Sequence, residues 1–170
     1  RLGIEPQEEL ASARSPEELA SLVRRSAEQG TLEHETAALL QRSLAFGDRR
    51  AVDVMTPRVK MRTVGADEPV LAVVRAARES GFSRFPVVGE SPDEVVGIVH
   101  VKHAVSVPHA RREQVPVRAV MVEPLRVPSS IELDPLLAIL REGGLQIAVV
   151  VDEFGGVDGI VTLEDVVEEI

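Results

Sequence analysis

The chain says much the same thing twice, and that internal repeat constrains its fold more than any other feature. Arg84-Phe85-Pro86-Val87-Val88 is echoed 62 residues later by Gln146-Ile147-Ala148-Val149-Val150, and Gly97-Ile98-Val99 by Gly159-Ile160-Val161 at the same spacing. Upstream, Val54-Met55-Thr56-Pro57 returns with a few residues of slippage as Val120-Met121-Val122-Glu123-Pro124. A period of this size means one supersecondary unit used twice. Each unit reads as an extended lead-in, a helix, a two-stranded hairpin and a second helix. In the first unit the helix spans 70–80 and Gly81 stops it. In the second, Asp134 offers an N-cap, Pro135 suits the first helical position, and Gly143-Gly144 closes the helix. The hairpin turns fall at Ser91-Pro92-Asp93-Glu94 and Asp152-Glu153-Phe154-Gly155-Gly156, both rich in turn formers. The Val/Ile-rich runs are suited to buried strands. A unit this small leaves apolar surface exposed when alone, so the two are expected to pack sheet to sheet about a pseudo-twofold axis.

Ahead of the repeat, residues 1–50 read as a helical segment. Ser15-Pro16-Glu17-Glu18 is a capping signature followed by the stripe Leu19, Leu22 and Val23, with Gly30 as its stop. Thr31 is then expected to start a second helix carrying Leu32, Ala38, Leu39 and Leu44 and ending before Gly47. The expected divisions are therefore 1–50 for the helical linker, 51–113 for the first repeat and 114–170 for the second. The chain starts at Arg1 and stops inside an apparent helix, which reads as a piece of something longer.

Composition excludes several functions. A net charge of −9 argues against nucleic acid as a partner. No apolar run approaches the roughly 20 residues that span a bilayer, so direct membrane insertion is not expected. With 0 cysteines there are no disulfides or thiolate metal sites. Neither a Walker-type loop nor a nucleophile–base pair is present, which disfavours a nucleotide hydrolase.

The chemistry concentrates at the end of the repeat. In Gly159-Ile160-Val161-Thr162-Leu163-Glu164-Asp165 a buried strand runs into a helix whose first turn offers a hydroxyl and a carboxylate three residues apart. A threonine there can donate to a phosphate, and an aspartate can accept from two ribose hydroxyls. The same pattern, Thr-x-x-acid, is also a capping box worth about 1 kcal/mol of helix stability and nothing more. The first repeat carries His100 and His103 at the corresponding places. Imidazole cannot copy the carboxylate's bidentate acceptance, so one working cleft and one degenerate cleft are expected. Two histidines without a third ligand make a poor metal site. Arg84 can fork two N–H bonds onto a phosphate. With aromatics at 2% of the chain, an adenine would sit between aliphatic side chains, and Phe85 is expected in the core.

Four motifs in order, Asp53-Val54-Met55-Thr56-Pro57-Arg58, Gly81-Phe82-Ser83-Arg84-Phe85-Pro86-Val87, Asp152-Glu153-Phe154-Gly155-Gly156 and Gly159 through Ile170, closely resemble the cystathionine-β-synthase (CBS) domain pair, or Bateman module, of the CorC/hemolysin-C-like and cyclin-M-related magnesium and cobalt transport proteins. The resemblance implies an α+β fold of tandem CBS domains, two β-α-β-β-α units preceded by a short helical segment. It implies a regulatory module, not an enzyme, that binds an adenine nucleotide, ATP foremost with ADP or AMP as alternatives, and magnesium as the nucleotide complex. The residues it places around that ligand are Thr56, Arg58, Ser83, Arg84, Pro86, Thr162, Glu164 and Asp165. Of these, Ser83 and Arg84 fall at the polyphosphate end and Thr56-Pro57-Arg58 at the adenine end. It further implies a homodimer through the CBS pairs, a transmembrane domain and a C-terminal domain in the full-length protein, and a position at the cytoplasmic face of the membrane. The alternative is a dimerisation module with a vestigial cleft.

Overall fold

The computed structural model describes residues 15–91 and 93–170. The start of the expected helical segment and Pro92 of the first hairpin turn lie outside them. The chain divides at Gly47 into a helical unit and a compact α+β unit that runs from Asp48 to Glu169.

The helical unit is a hairpin of α1 (Pro16–Glu28) and α2 (His34–Phe46). Ser15 caps α1, its hydroxyl accepting from the Glu18 N–H at 3.3 Å, and Gly30 ends the turn with φ +70°. Thr31 does not start α2. Its hydroxyl donates to the Ser26 carbonyl at 2.9 Å, closing the end of α1, and Glu33 takes the N-cap position of α2. The Thr31 and Leu32 N–H groups donate to the same carbonyl, at 3.0 and 3.2 Å, so the turn closes on one C-terminal acceptor of α1.

In the α+β unit each repeat contributes one sheet. The first comprises β2 (Val64–Gly65), α4 (Val70–Ser80), β3 (Arg84–Val88), β4 (Val95–His100) and α5 (Val101–Ser106). The second comprises β5 (Arg126–Pro128), α6 (Leu133–Glu142), β6 (Ile147–Val151), β7 (Val157–Thr162) and α7 (Leu163–Val167). In both, the first strand runs parallel to the second and the second pairs antiparallel with the third. The helices α4 and α6 bury one stripe each. On α6 it is Leu133, Leu136 and Leu140, all fully buried, and each contributes roughly 1.5–3 kcal/mol of transfer free energy. Phe85 lies in the first repeat's core beside Val70, Val73 and Val99. Between the sheets, Val95 and Ile98 of β4 pack with Ile147, Val149 and Val157.

The lead-ins are exchanged between the repeats. Residues 49–57, with the one-turn helix α3 (Ala51–Val54) and β1 (Thr56–Pro57), lie on the second repeat. There β1 extends its sheet in the order β1-β7-β6-β5. Reciprocally, Val122 bridges to Ile98 on the first. The backbone bonds match pairwise: Leu133 N–H donates to Arg49 C=O at 3.0 Å and Val70 N–H to Val115 C=O at 2.8 Å, while Ala51 N–H reaches Ile131 C=O and Val117 N–H reaches Glu68 C=O. This exchange sets where the helices begin. The N-cap of α6 is Glu132, without a side-chain cap bond, and Asp134 falls inside the first turn, because a carbonyl from the other repeat's lead-in already takes an orphan N–H of the helix.

Two glycines let the lead-ins approach. A Cβ on Gly159 would overlap the Thr56 carbonyl oxygen, with the carbonyl carbon at 3.1 Å and Met55 Sδ at 3.2 Å. One on Gly97 would stand 2.9 Å from Met121 Cγ and 3.1 Å from the Val122 carbonyl oxygen.

The repeat registers differ from the sequence alignment in one respect. The third strands correspond at the expected spacing, since Ile98 and Ile160 occupy like positions opposite Pro86 and Val149. The second strands are therefore offset by one more residue, and Arg84 corresponds to Ile147, not Gln146. The loop after α6 is one residue longer than the loop after α4. Gln146 absorbs the difference at φ +54°, and the following hairpin turn is correspondingly shorter.

Candidate functional site

A cavity of about 350 Å³ opens where the repeats meet, and both supply its walls. The exchanged lead-in brings Thr56, then Lys60, Met61 and Arg62 from the turn beyond β1. The loop after α4 brings Gly81, Phe82 and Ser83, and the start of β3 brings Arg84. The second repeat supplies Ile147, Ile160, Thr162, Glu164 and Asp165.

Six of the residues singled out in the sequence converge here: Thr56, Ser83, Arg84, Thr162, Glu164 and Asp165. Arg58 and Pro86 do not line the cavity. Arg58 forms an ion pair with Asp93 at 2.7 Å, and Pro86 is buried within β3 opposite Ile98. Lys60, Met61 and Arg62 went unmarked in the sequence, since they follow the Met-Thr-Pro motif in a turn with no periodic signal.

Arg84 lies across the cavity with its side chain 19% exposed. Its Nη1 donates to Glu164 Oε1 and its Nη2 to Gln146 Oε1, both at 3.1 Å, while Nε is buried without a partner among the described residues. A buried donor left unpaired is uncommon in folded proteins. Burial acts to raise the Glu164 pKa. Its own backbone N–H and the Arg84 charge outweigh that and hold it below the ordinary carboxylate value.

Thr162 and Asp165 form the complete capping box of α7. The Thr162 N–H and hydroxyl both donate to Asp165 Oδ2 at 2.7 Å, and the Asp165 N–H donates back to the hydroxyl at 3.2 Å. Both bonds to the carboxylate fall on Oδ2, so Oδ1 keeps its lone pairs for another donor.

A second cavity of about 410 Å³ lies at the related position and is chemically different. Val122 stands for Thr56, Lys102 for Glu164, His103 for Asp165 and Ile147 for Arg84. His100 corresponds to Thr162 and caps α5 through Nδ1, which accepts from the Lys102 N–H at 3.0 Å. Burial, followed by the charges of Lys102, Arg84 and His103, pushes the His100 pKa below the usual imidazole value.

Two reciprocally exchanged β-α-β-β-α units around a shared cleft match a known module. The sequence profile of the CBS domain fits residues 51–109 and 117–170. The structure of the CBS domain of a bacterial CNNM/CorC family Mg²⁺ transporter superposes with a TM-score of 0.81 at 32% identity, covering 92% of this chain and 96% of that one. The chain belongs to the CBS-domain family, as a CBS pair of the CNNM/CorC type.

The CBS pair is 51% identical over its full length to the UPF0053 protein MT1890 of Mycobacterium tuberculosis, of which it covers 37%. It is 34% identical to the magnesium and cobalt efflux protein CorC of Vibrio cholerae, matching 91% of this chain and 53% of that protein. The chain thus spans about a third to a half of the curated relatives it matches. A CNNM/CorC CBS domain solved in complex with ATP aligns at a TM-score of 0.72 and 34% identity, covering 77% of this chain and 93% of that one. These relatives set the CBS pair among transporter modules, apart from enzymes. Among the described residues no helix is long and apolar enough to cross a membrane.

Proposed function

We propose that this CBS pair is a regulatory adenine-nucleotide module, taking Mg–ATP in the first cavity, within a membrane protein that transports divalent cations. The observation that carries the reading is the convergence of Arg84 from one repeat with Thr162, Asp165 and Thr56 around one cleft. The ATP complex of a relative supports it. Asp165 Oδ1 accepts from the ribose, Ile147, Ile160 and Met61 flank the base with Thr56 at its edge, and Arg84, Ser83 and Thr162 face the phosphates. Magnesium arrives with the nucleotide, held by phosphate oxygens beside the Glu164 carboxylate. ADP and AMP share the base and ribose contacts and compete for the same place. The second cavity lacks the ribose carboxylate and the guanidinium, so it takes no nucleotide.

Both repeats and the lead-in touch the ligand, so binding biases how these parts sit. That bias is limited to the ligand's differential affinity for the two arrangements. Val105 on α5 and Val167 on α7, 46% and 52% exposed, occupy like positions in the two repeats and provide an apolar face for a second copy. Such a dimer would pass the change to a transmembrane domain and a C-terminal domain from the cytoplasmic face of the membrane.

One observation favours a second reading. The Thr162–Asp165 box is complete without ligand, as a dimer scaffold with a vestigial cleft would have it. Calorimetric titration with ATP, with and without Mg²⁺, separates the two. The nucleotide module binds one ATP per chain and loses it in Asp165→Ala, with helix content by circular dichroism retained. A chain that gives no binding heat is the scaffold.

A further inference from the structure

We infer that Gln146 is a positioning residue that sets the phosphate selectivity of the first cavity by anchoring Arg84. The inference rests on the nucleotide reading above. Arg84 is held by two acceptors of different kinds. Glu164 is negatively charged and 60% exposed, so an incoming phosphate competes with it for Nη1 and displaces it. Gln146 is neutral and half-buried, and its Oε1 keeps Nη2 while a phosphate binds. A guanidinium has five N–H groups. With Nη2 held by Gln146 and the Nη1 bond to Glu164 open to displacement, the guanidinium keeps its place while its remaining terminal N–H groups are available to a phosphate.

The backbone points the same way. Gln146 has φ +54°, the one left-handed residue other than glycine among the described residues. Glycine or asparagine fills such a position with less strain. The loop does contain Gly143 and Gly144, yet neither takes the left-handed place. The strain of a glutamine at this angle is offset by what its side chain reaches, the Arg84 guanidinium. Its carbonyl also accepts from the Leu163 N–H at 3.0 Å, at the start of the helix that carries Glu164 and Asp165. One residue therefore ties the phosphate-reading arginine to the ribose-reading helix. The first repeat shares the backbone bond, since Val101 N–H donates to the Ser83 carbonyl at 2.8 Å, and what Gln146 adds is the side-chain amide that reaches Arg84.

The test is Gln146→Gly, which suits the backbone and removes the amide. Its melting temperature should equal or exceed that of the unsubstituted chain. Without the anchor Arg84 must be ordered as the phosphate binds, which weakens ATP binding about tenfold, while adenosine, which has no phosphate, binds as before. Equal weakening of ATP and adenosine, or no change in either, would overturn the inference. A second measurement does not depend on nucleotide. In the ligand-free chain the Arg84 Nε–Hε resonance should exchange slowly with water and exchange faster in Gln146→Gly. An unchanged rate would show that Gln146 does not anchor Arg84. An unsubstituted chain that fails to bind ATP would sink the proposed function and the selectivity role with it, leaving the exchange rate to decide the anchoring alone.

Discussion

Gly159→Ala should damage this protein far more than the loss of a small residue on an exposed surface. The added Cβ overlaps the Thr56 carbonyl oxygen, and the carbonyl carbon lies 3.1 Å away, so the obstacle is backbone and not a flexible side-chain end. β1 must then leave β7, breaking the pairing of Thr56 with Ile160 and of Pro57 with Gly159 and lifting Met55 off the sheet. Overpacking of this kind costs about 3 kcal/mol, against a total stability of roughly 5–15 kcal/mol for a domain. At about 3 °C per kcal/mol for a chain of this size, the melting temperature falls by about 10 °C. Gly97→Ala provides the comparison. Its nearest obstacle is the Met121 side chain, which can rotate away, so its loss should be about half as large. Differential scanning calorimetry of the two variants reads both numbers. A Gly159→Ala protein within 2 °C of the parent, or one more stable than Gly97→Ala, would refute the claim that the exchanged lead-in is locked by this close approach. Thr56 rides on β1, so Gly159→Ala should also weaken ATP binding without touching the phosphate end of the cavity.

Two further predictions concern charge. Glu164→Gln removes a carboxylate that repels a triphosphate, so ATP without Mg²⁺ should bind more tightly and the gain from Mg²⁺ should shrink. Glu164 is 60% exposed, and solvent screening limits the effect to about 1 kcal/mol, roughly fivefold in Kd by calorimetry. His100 titrates with its pKa lowered in the folded chain, so the folded state favours neutral imidazole. Its contribution to stability is full above the unfolded histidine value and is lost as pH falls below it, when protonation removes the Nδ1 acceptor that caps α5. Melting temperature measured from pH 7.5 to 5.5 should fall less in His100→Ser, which keeps a cap without titrating; parallel curves would contradict the assignment.

Local signals were readable from the sequence where local chemistry decides the structure. The bounds of α4, the Gly81 stop at φ +78° and the Ser15 cap follow from turn and cap residues acting on their own neighbours. Long-range pairing defeated the same reasoning at α6, whose start is governed by a carbonyl from Arg49 and not by Asp134. The repeat was visible, but its register was off by one in the second strands. Matching residue types aligned Arg84 with Gln146, whereas the left-handed turn at Gln146 moves the geometric partner to Ile147. The site divides in the same way. Thr162 and Asp165 lie three residues apart in sequence and were found together, and Arg84 joined them through the motif it shares with its family. Gln146 was missed because its role depends on a backbone angle, and Lys60 to Arg62 because only the exchanged lead-in brings them to the cleft.

The central claim is that one nucleotide cleft exists and that both repeats build it. Backbone and side-chain chemical-shift mapping during an ATP titration with Mg²⁺ tests this most directly. The account predicts saturating shifts at Thr56, Arg84, Gln146, Thr162 and Asp165, with Val122, Lys102 and His103 of the second cavity left unmoved. Saturating shifts centred on Lys102 and His103, or shifts confined to one repeat, would contradict it.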